Sequence, residues 1–360
     1  MKLELLNAQS SKWTDVLAST RHDFYHLPSY LKLESERMGG GPRAILVEED
    51  GHFFFLPLVI RKVDIFGEEV PGHEEITDGI SPYGYTPPLA RLPEDGQEIF
   101  MRRVLQTLKD TMYERGLVSL FVRTHPLLPI PAWHVFEEYG SLVKHGKTVW
   151  IDLAKDRNLL WKGTRKSYRY LIRNLKKEGY FVTMDEDWDH LPEFEDLYNR
   201  TMDSVNAADQ YYFGIEYFKR LKKALEEKIF LCVVKEKPGN VVAAGLFTEC
   251  SGIVQYHLSG TLRDPEHKNT TKLMLEYVTN WAKERGNRYF HLGGGVGSEE
   301  DSLFFFKSGF SKLLSEFYTW RMIVNEDIYH ECVEIWEERS GREGIELPDF
   351  FPVYRKKCFP

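Results

Sequence analysis

"NTTKLMLEYVTNWAKERGNRYFHL" runs from Asn269 to Leu292. Leu273, Leu275, Val278 and Trp281 recur at helical spacing, Gly286 can end that helix, and NRYFHL then reads as a short strand. An earlier stretch from Glu98 to Thr124, "EIFMRRVLQTLKDTMYERGLVSLFVRT", reads the same way, with a helix closing on Glu114-Arg115-Gly116 and a strand after it. Gly116 and Gly286 are 170 positions apart, and a second pair that ends short helices, Gly140 and Gly309, is 169 apart. Outward from Asn269, IFLCVVKE, VVAAGLFTE and GIVQYHLSG are strands, Ser298 is placed to cap a short helix ending at Lys307 with Gly309 at C′, and EFYTWRMIV closes the half. In the first half RAILVEED and HFFFLPLVIR form a hairpin about Asp50-Gly51, PAWHVFEEYG is the short helix and KTVWIDLA the closing strand. The second half thus reads β-β-β-α-β-α-β and the first a hairpin followed by the same α-β-α-β, and the matching order and spacing predict a duplicated α/β (α+β) chain. Each copy is expected to be a mixed sheet flanked by helices. The expected division is residues 1–153, with 326–360 packing back on them, and residues 154–325.

Composition narrows the class. Of 360 residues 42% are hydrophobic and 14% aromatic, enough for sizeable cores. A net charge of -8 argues against a nucleic-acid coat, so no DNA partner is expected. Cys232, Cys250, Cys332 and Cys358 have no CxxC spacing, which suits reduced thiols rather than a disulfide framework or zinc. The N-terminus lacks an apolar signal segment and no run is long enough to span a bilayer, so the expectation is a cytoplasmic protein without a transmembrane segment.

The unusual chemistry lies in the second half. In "HLGGGVGSEEDSLFFFKSGF" (291–310) Gly293, Gly294 and Gly295 sit between a strand and a helix, where backbone N–H groups can face an anion or an oxyanion. Ser298 stands where a dinucleotide fingerprint needs its third glycine, so that motif fails. Lys307 ends an apolar run. A partly desolvated ammonium there requires a partner, and it can stabilise charge on a carbonyl oxygen or bind phosphate. Aligning Gly140 with Gly309 puts Glu138 opposite it. Arg165, Arg169 and Arg173 recur every four residues in a segment without acids, which points to an anion site. On the strand VQYHLSG, alternation would put Tyr256 and Leu258 on one face and His257 and Ser259 on the other. His257 is either a general base or a hydrogen-bonded structural histidine. His22 and His26 lack the glutamate of a zinc helix, and no metal is expected.

Several stretches carry a family resemblance: DFYHLPSY, SPYGYTPPLA, RKSYRYLIRNLKKEG, LYNRTMDSVNAADQYYF, YHLSGT, FHLGGG, DSLFFFKSGFS and FFPVYR. Together they resemble the tandem GNAT-like architecture of the Fem family, aminoacyltransferases that build peptidoglycan cross-bridges. The resemblance implies two GNAT-like domains, with the chemistry in the second. It implies transfer of an acyl or aminoacyl group to an amine of a sugar or cell-envelope precursor, small or lipid-linked. The donor would be acyl-CoA or aminoacyl-tRNA as co-substrate, with no tightly bound cofactor. The family's lysine after phenylalanine matches Lys307 after Phe306, and a tyrosine that helps bind the nucleotide-sugar precursor falls near Tyr217. Phe213 replaces the arginine expected four residues earlier, Ser204 replaces another, and "EHKNTTKLM" stands in place of a coenzyme A loop. The active cleft is expected between the halves. A different class of reading is a non-catalytic module that binds an anionic glycan precursor or RNA through the basic helix.

Overall fold

The computed structural model describes residues 1–264, 267, 269–342 and 349–357. Cys358 and part of EHKNTTKLM lie outside them. The first half runs β1 (Lys2–Asn7), α1 (Ser11–Ser19), α2 (Pro28–Met38), β2 (Gly41–Glu49), β3 (His52–Lys62), β4 (Thr77–Ile80), α3 (Gln97–Glu114), β5 (Leu117–Arg123) and β6 (Ser141–Asp152). The second runs α4 (Arg157–Gly163), α5 (Lys166–Glu178), β7 (Phe181–Asp185), α6 (Leu191–Ser204), α7 (Ile215–Leu225), β8 (Ile229–Lys235), β9 (Val241–Cys250), β10 (Ile253–Thr261), α8 (Thr270–Glu284), β11 (Tyr289–Gly293), α9 (Ser302–Lys307), β12 (Leu313–Ile323) and α10 (Glu326–Ser340). The short helix expected in PAWHVFEEYG is a 3₁₀ segment, Trp133–Glu138.

Two compact units result, Met1–His145 with Phe317–Pro360, and Gly146–Glu316. In the first the strands lie in the order β1-β2-β3-β4-β5-β12 and in the second β7-β8-β9-β10-β11-β6. In both, every neighbour is antiparallel except the fourth and fifth strands, β4 with β5 and β10 with β11. The repeat read from the sequence is thus a repeat of topology. The closing strands, however, are exchanged. EFYTWRMIV, from the second half, pairs Thr319–Ile323 with β5 of the first unit. KTVWIDLA, from the first half, pairs Val149–Asp152 with β11 of the second.

Local sequence explains each element. Asp50 and Gly51 both take positive φ, 52° and 79°, as a two-residue type I′ hairpin requires. Helix α3 buries Phe100, Met101, Val104, Leu105, Leu108 and Met112, the stripe its spacing announces, and α8 does the same with Leu273, Met274, Leu275, Val278 and Ala282. Each such fully buried side chain contributes about 1.5–3 kcal/mol. Helix α10 buries Tyr329, Cys332, Val333 and Trp336, and the terminal FFPVYR packs back on it through Phe351, Val353 and Tyr354. Glu138, the counterpart of Lys307, is an exposed structural partner of Arg102.

Helix α6 lies so close to β10 that a Cβ on Gly260 would come within 2.3 Å of the Leu197 and Tyr198 backbone. Backbone cannot swing aside as a side chain can. Gly260→Ala is therefore expected to cost about 1–3 kcal/mol, read as a lower urea midpoint at unchanged slope.

Candidate active site

The site begins with a gap between strands. β10 and β11 are paired only through Ile253–Gln255 and Tyr289–His291. Beyond that, Tyr256–Thr261 continues along β9, while β11 ends at Gly293. The regular alternation expected for VQYHLSG does not hold. The register with β9 shifts between Leu246 and Phe247, which face Leu258 and Tyr256, so His257 is the extra residue of a β-bulge. As a result Tyr256 and Ser259 reach each other, and their hydroxyls are hydrogen-bonded. Tyr256 also stacks on Phe247, with ring centres 5.5 Å apart.

Lys307 bridges this gap. It is 8% exposed, and its Nζ donates to the Gly294 carbonyl at 2.7 Å. The same ammonium lies 5.9 Å from the centre of the Tyr256 ring, at the outer range of cation–π attraction. Burial lowers its pKa from the ordinary lysine value to about 8, against an opposing pull from the Asp301 charge. Burial also pushes the Tyr256 phenol up to about 12, although the Ser259 hydrogen bond acts the other way. At neutral pH the pair is therefore an ammonium that titrates readily beside a phenol that keeps its proton.

The glycine loop holds Lys307 in place, for reasons the sequence did not disclose. Asp301, not Ser298, caps α9, and its carboxylate accepts from Phe304 N at 2.9 Å and from Val296 N at 3.2 Å. A Cβ on Gly295 would lie 2.2 Å from that carboxylate and 2.1 Å from the Glu299 carbonyl. The close neighbour that excludes a side chain there is the chain itself. Gly293 and Gly297 take φ of 78° and 60°, which turn the loop. Gly309 is not a left-handed cap. The Tyr168 ring lies where its Cβ would be, 2.2 Å away, and that contact presses α9 onto α5.

Tyr168, which sequence reasoning passed over, organises the basic residues. Its hydroxyl donates to the Phe306 carbonyl at 3.3 Å, and Lys272 Nζ lies 4.8 Å from its ring centre and 5.3 Å from that of Phe306. Arg165 precedes α5 as its N-cap rather than belonging to a helical stripe. Its guanidinium covers the same tyrosine at 5.1 Å and donates to the Phe305 carbonyl at 3.3 Å. Arg173 covers Trp161 at 5.4 Å. Arg169, between them, is half-buried with an Nε that meets no acceptor among the described residues. Tyr217 belongs to a different cluster, stacked on Phe213 with ring centres 4.3 Å apart. The residue that replaces the expected arginine thus makes an aromatic pair where a charge would stand. Among the described residues no group of His, Cys, Asp and Glu is arranged to hold a metal.

Residues 162–302 match the family model described as an acetyltransferase (GNAT) domain. No curated protein sequence matches the chain. Solved structures do resemble it in fold. FemX superposes with a TM-score of 0.69 at 15% identity, over 92% of this chain and 99% of that one. L-PGS from Bacillus licheniformis gives 0.55 at 15% identity over 92% and 97%. A Bacteroides thetaiotaomicron protein of unknown function gives 0.59 at 12% identity over 89% and 100%. With the parallel fourth and fifth strands of both units, these findings give the chain a tandem GNAT-like fold similar to that of FemX, with the match to the acetyltransferase (GNAT) domain confined to residues 162–302.

Proposed function

We propose that the chain passes an acyl or aminoacyl group to an amine on a sugar or cell-envelope precursor, and that the reaction takes place where Lys307 spans the gap between β10 and β11. The observation that carries this reading is the buried ammonium held on the Gly294 carbonyl below the Tyr256 phenol. The acceptor amine attacks the donor carbonyl, a C–N bond forms, and the C–O or C–S bond to the carrier breaks. Lys307 faces the negative charge that develops on the carbonyl oxygen beside the edge Gly293–Gly295. The proton lost by the amine ends on the leaving oxygen or sulfur, and Tyr256 with Ser259 is placed to relay it.

The donor is a carrier-bound acyl group, an acyl-CoA thioester or an aminoacyl ester such as aminoacyl-tRNA. Arg165, Arg169 and Arg173 supply positive charge for donor or acceptor phosphate. Phe213 stacked on Tyr217 places a ring where the Fem resemblance expects an arginine beside the tyrosine of the nucleotide-sugar site. FemX and L-PGS, whose folds are similar, support the envelope setting of the reaction.

The test is a transfer assay with labelled aminoacyl-tRNA and acyl-CoA on amine-bearing sugar and lipid acceptors. Tyr256→Phe keeps the ring and its stacking but removes the relay hydroxyl. It is expected to lower kcat by about 10²-fold with KM little changed. A phenylalanine variant as active as the parent assigns the proton transfer elsewhere.

A further inference from the structure

The segment from Arg157 to Lys177 holds eight cations and no acid, in a chain of net charge -8. Only two of the eight are matched by carboxylates among the described residues, Arg157 by Glu284 and Lys176 by Glu276. Arg165 and Arg173 rest on aromatic rings, which orient them and leave their charge uncancelled. Helix α5 buries Tyr168, Ile172 and Leu175. At 100° per residue, Lys166, Tyr170, Arg173 and Lys177 fall together on the opposite face. Tyr170, at the centre of that face, is 63% exposed.

A second feature adjoins the first. Val296, Leu303 and Phe305 are 63%, 37% and 55% exposed, an apolar tip made by the loop before α9 and by α9 itself. Arg165 ties this tip to the basic helix through its bond to the Phe305 carbonyl. Of the acids beside the tip, Glu300 is matched by Lys147 at 3.0 Å and Asp301 is engaged in capping α9. Nucleic acid would satisfy the cations and can stack a base on Phe305, but it leaves the aliphatic Val296 and Leu303 in water. An anionic bilayer surface satisfies both, with phosphates for the cations and an acyl boundary for the apolar side chains.

We propose that the outer face of α5 and the tip of α9 dock the protein on the surface of a bilayer rich in anionic phospholipid. Lys166, Arg173 and Lys177 meet headgroup phosphates, Tyr170 lies at headgroup level, and Leu303 and Phe305 enter the acyl boundary. The attachment is peripheral. The proposal rests on the transferase reading only for its purpose: Lys307 lies on α9, so docking brings the reacting group to a lipid-borne acceptor.

The experiment is co-sedimentation of the full chain with phosphatidylcholine vesicles, with and without phosphatidylglycerol. Binding is expected only with phosphatidylglycerol and should weaken with salt. Each lost cation should lower partition about fivefold, so K166E/K177E should lose at least about 25-fold. L303S/F305S should lose the binding that survives high salt. All four positions are exposed, and unchanged circular dichroism and melting would show that the variants fold. Equal sedimentation with both vesicle types, undiminished binding by K166E/K177E, or retention by RNA without retention by vesicles each overturns the proposal. Vesicle binding is read without any transfer. A chain that docks but does not transfer therefore leaves this proposal standing and removes the transferase reading alone.

Discussion

Replacing Lys307 with methionine is expected to slow transfer by about 10²–10³-fold while leaving the protein at least as stable as before. The loss follows from the charge. Removing one preorganised donor aimed at a developing oxyanion costs about 2.7–4 kcal/mol, or 10²–10³-fold in kcat. The gain in stability follows from burial. In the unfolded chain Lys307 holds its proton up to pH 10.5, whereas in the folded protein it releases it near 8. Below pH 8 both states carry the proton, and the folded state bears the whole cost of burying the charge. Between pH 8 and 10.5 the unfolded state binds more protons, so stability rises with pH and the cost disappears. The shift corresponds to about 3 kcal/mol. Methionine removes that cost but leaves the Gly294 carbonyl without its donor, a loss of about 1 kcal/mol. The net expectation at pH 7 is a variant about 2 kcal/mol more stable. Its advantage should shrink as the pH climbs from 8 towards 10.5, as urea titrations of both proteins would show. Activity has the opposite sign. If Lys307 acts as an ammonium, kcat/KM of the parent falls as the pH rises through about 8. A rising limb there would make the lysine a base instead.

The largest stability loss is expected at Asp78, far from this chemistry in sequence. Asp78 is 1% exposed and accepts from Arg61 at 2.8 Å and from Arg355 at 2.7 Å. Arg355 also holds Asp64 at 2.6 Å, and next to it the Tyr354 hydroxyl meets Ser119 at 2.8 Å. These contacts anchor the C-terminal segment to the rest of the first unit. Asp78→Ala would leave two guanidinium groups, 14% and 15% exposed, without their shared carboxylate. Breaking a buried pair from one side costs about 3–5 kcal/mol. The expected result is a urea midpoint lower by that amount, with residues 349–357 cut first by protease. Asp78→Asn, which keeps the shape and one acceptor, should lose less. An alanine variant with parental stability would mean that the C-terminal segment is anchored by its apolar side chains alone.

Much of this architecture could be read from residue order, because each element carries a local cause. The stripes of α3 and α8, the Asp50-Gly51 hairpin and the paired ERG endings gave the repeat. What could not be read depended on distant partners. EFYTWRMIV and KTVWIDLA are both plausible closing strands, and nothing in either says which sheet it joins. The bulge at His257 arises from the register with β9 and is silent in VQYHLSG itself. Ser298 and Asp301 are both good caps, and the choice between them depends on how the loop folds over Gly295. Lys307 was legible from its apolar surroundings, since an ammonium there requires a partner. That the partner is the Gly294 carbonyl, and that Tyr168 stands behind Gly309, required coordinates.

The exchange of closing strands sets the timetable of synthesis. Residues 1–145 of the first unit are translated before the second begins, yet β5 has no partner on one side until Ile323 leaves the ribosome. At about 5–20 residues per second that edge stays open for roughly ten seconds or more. A nascent chain with so long-lived a vacancy invites strand addition from its neighbours on a polysome. The protein's dependence on chaperones should therefore be decided during translation.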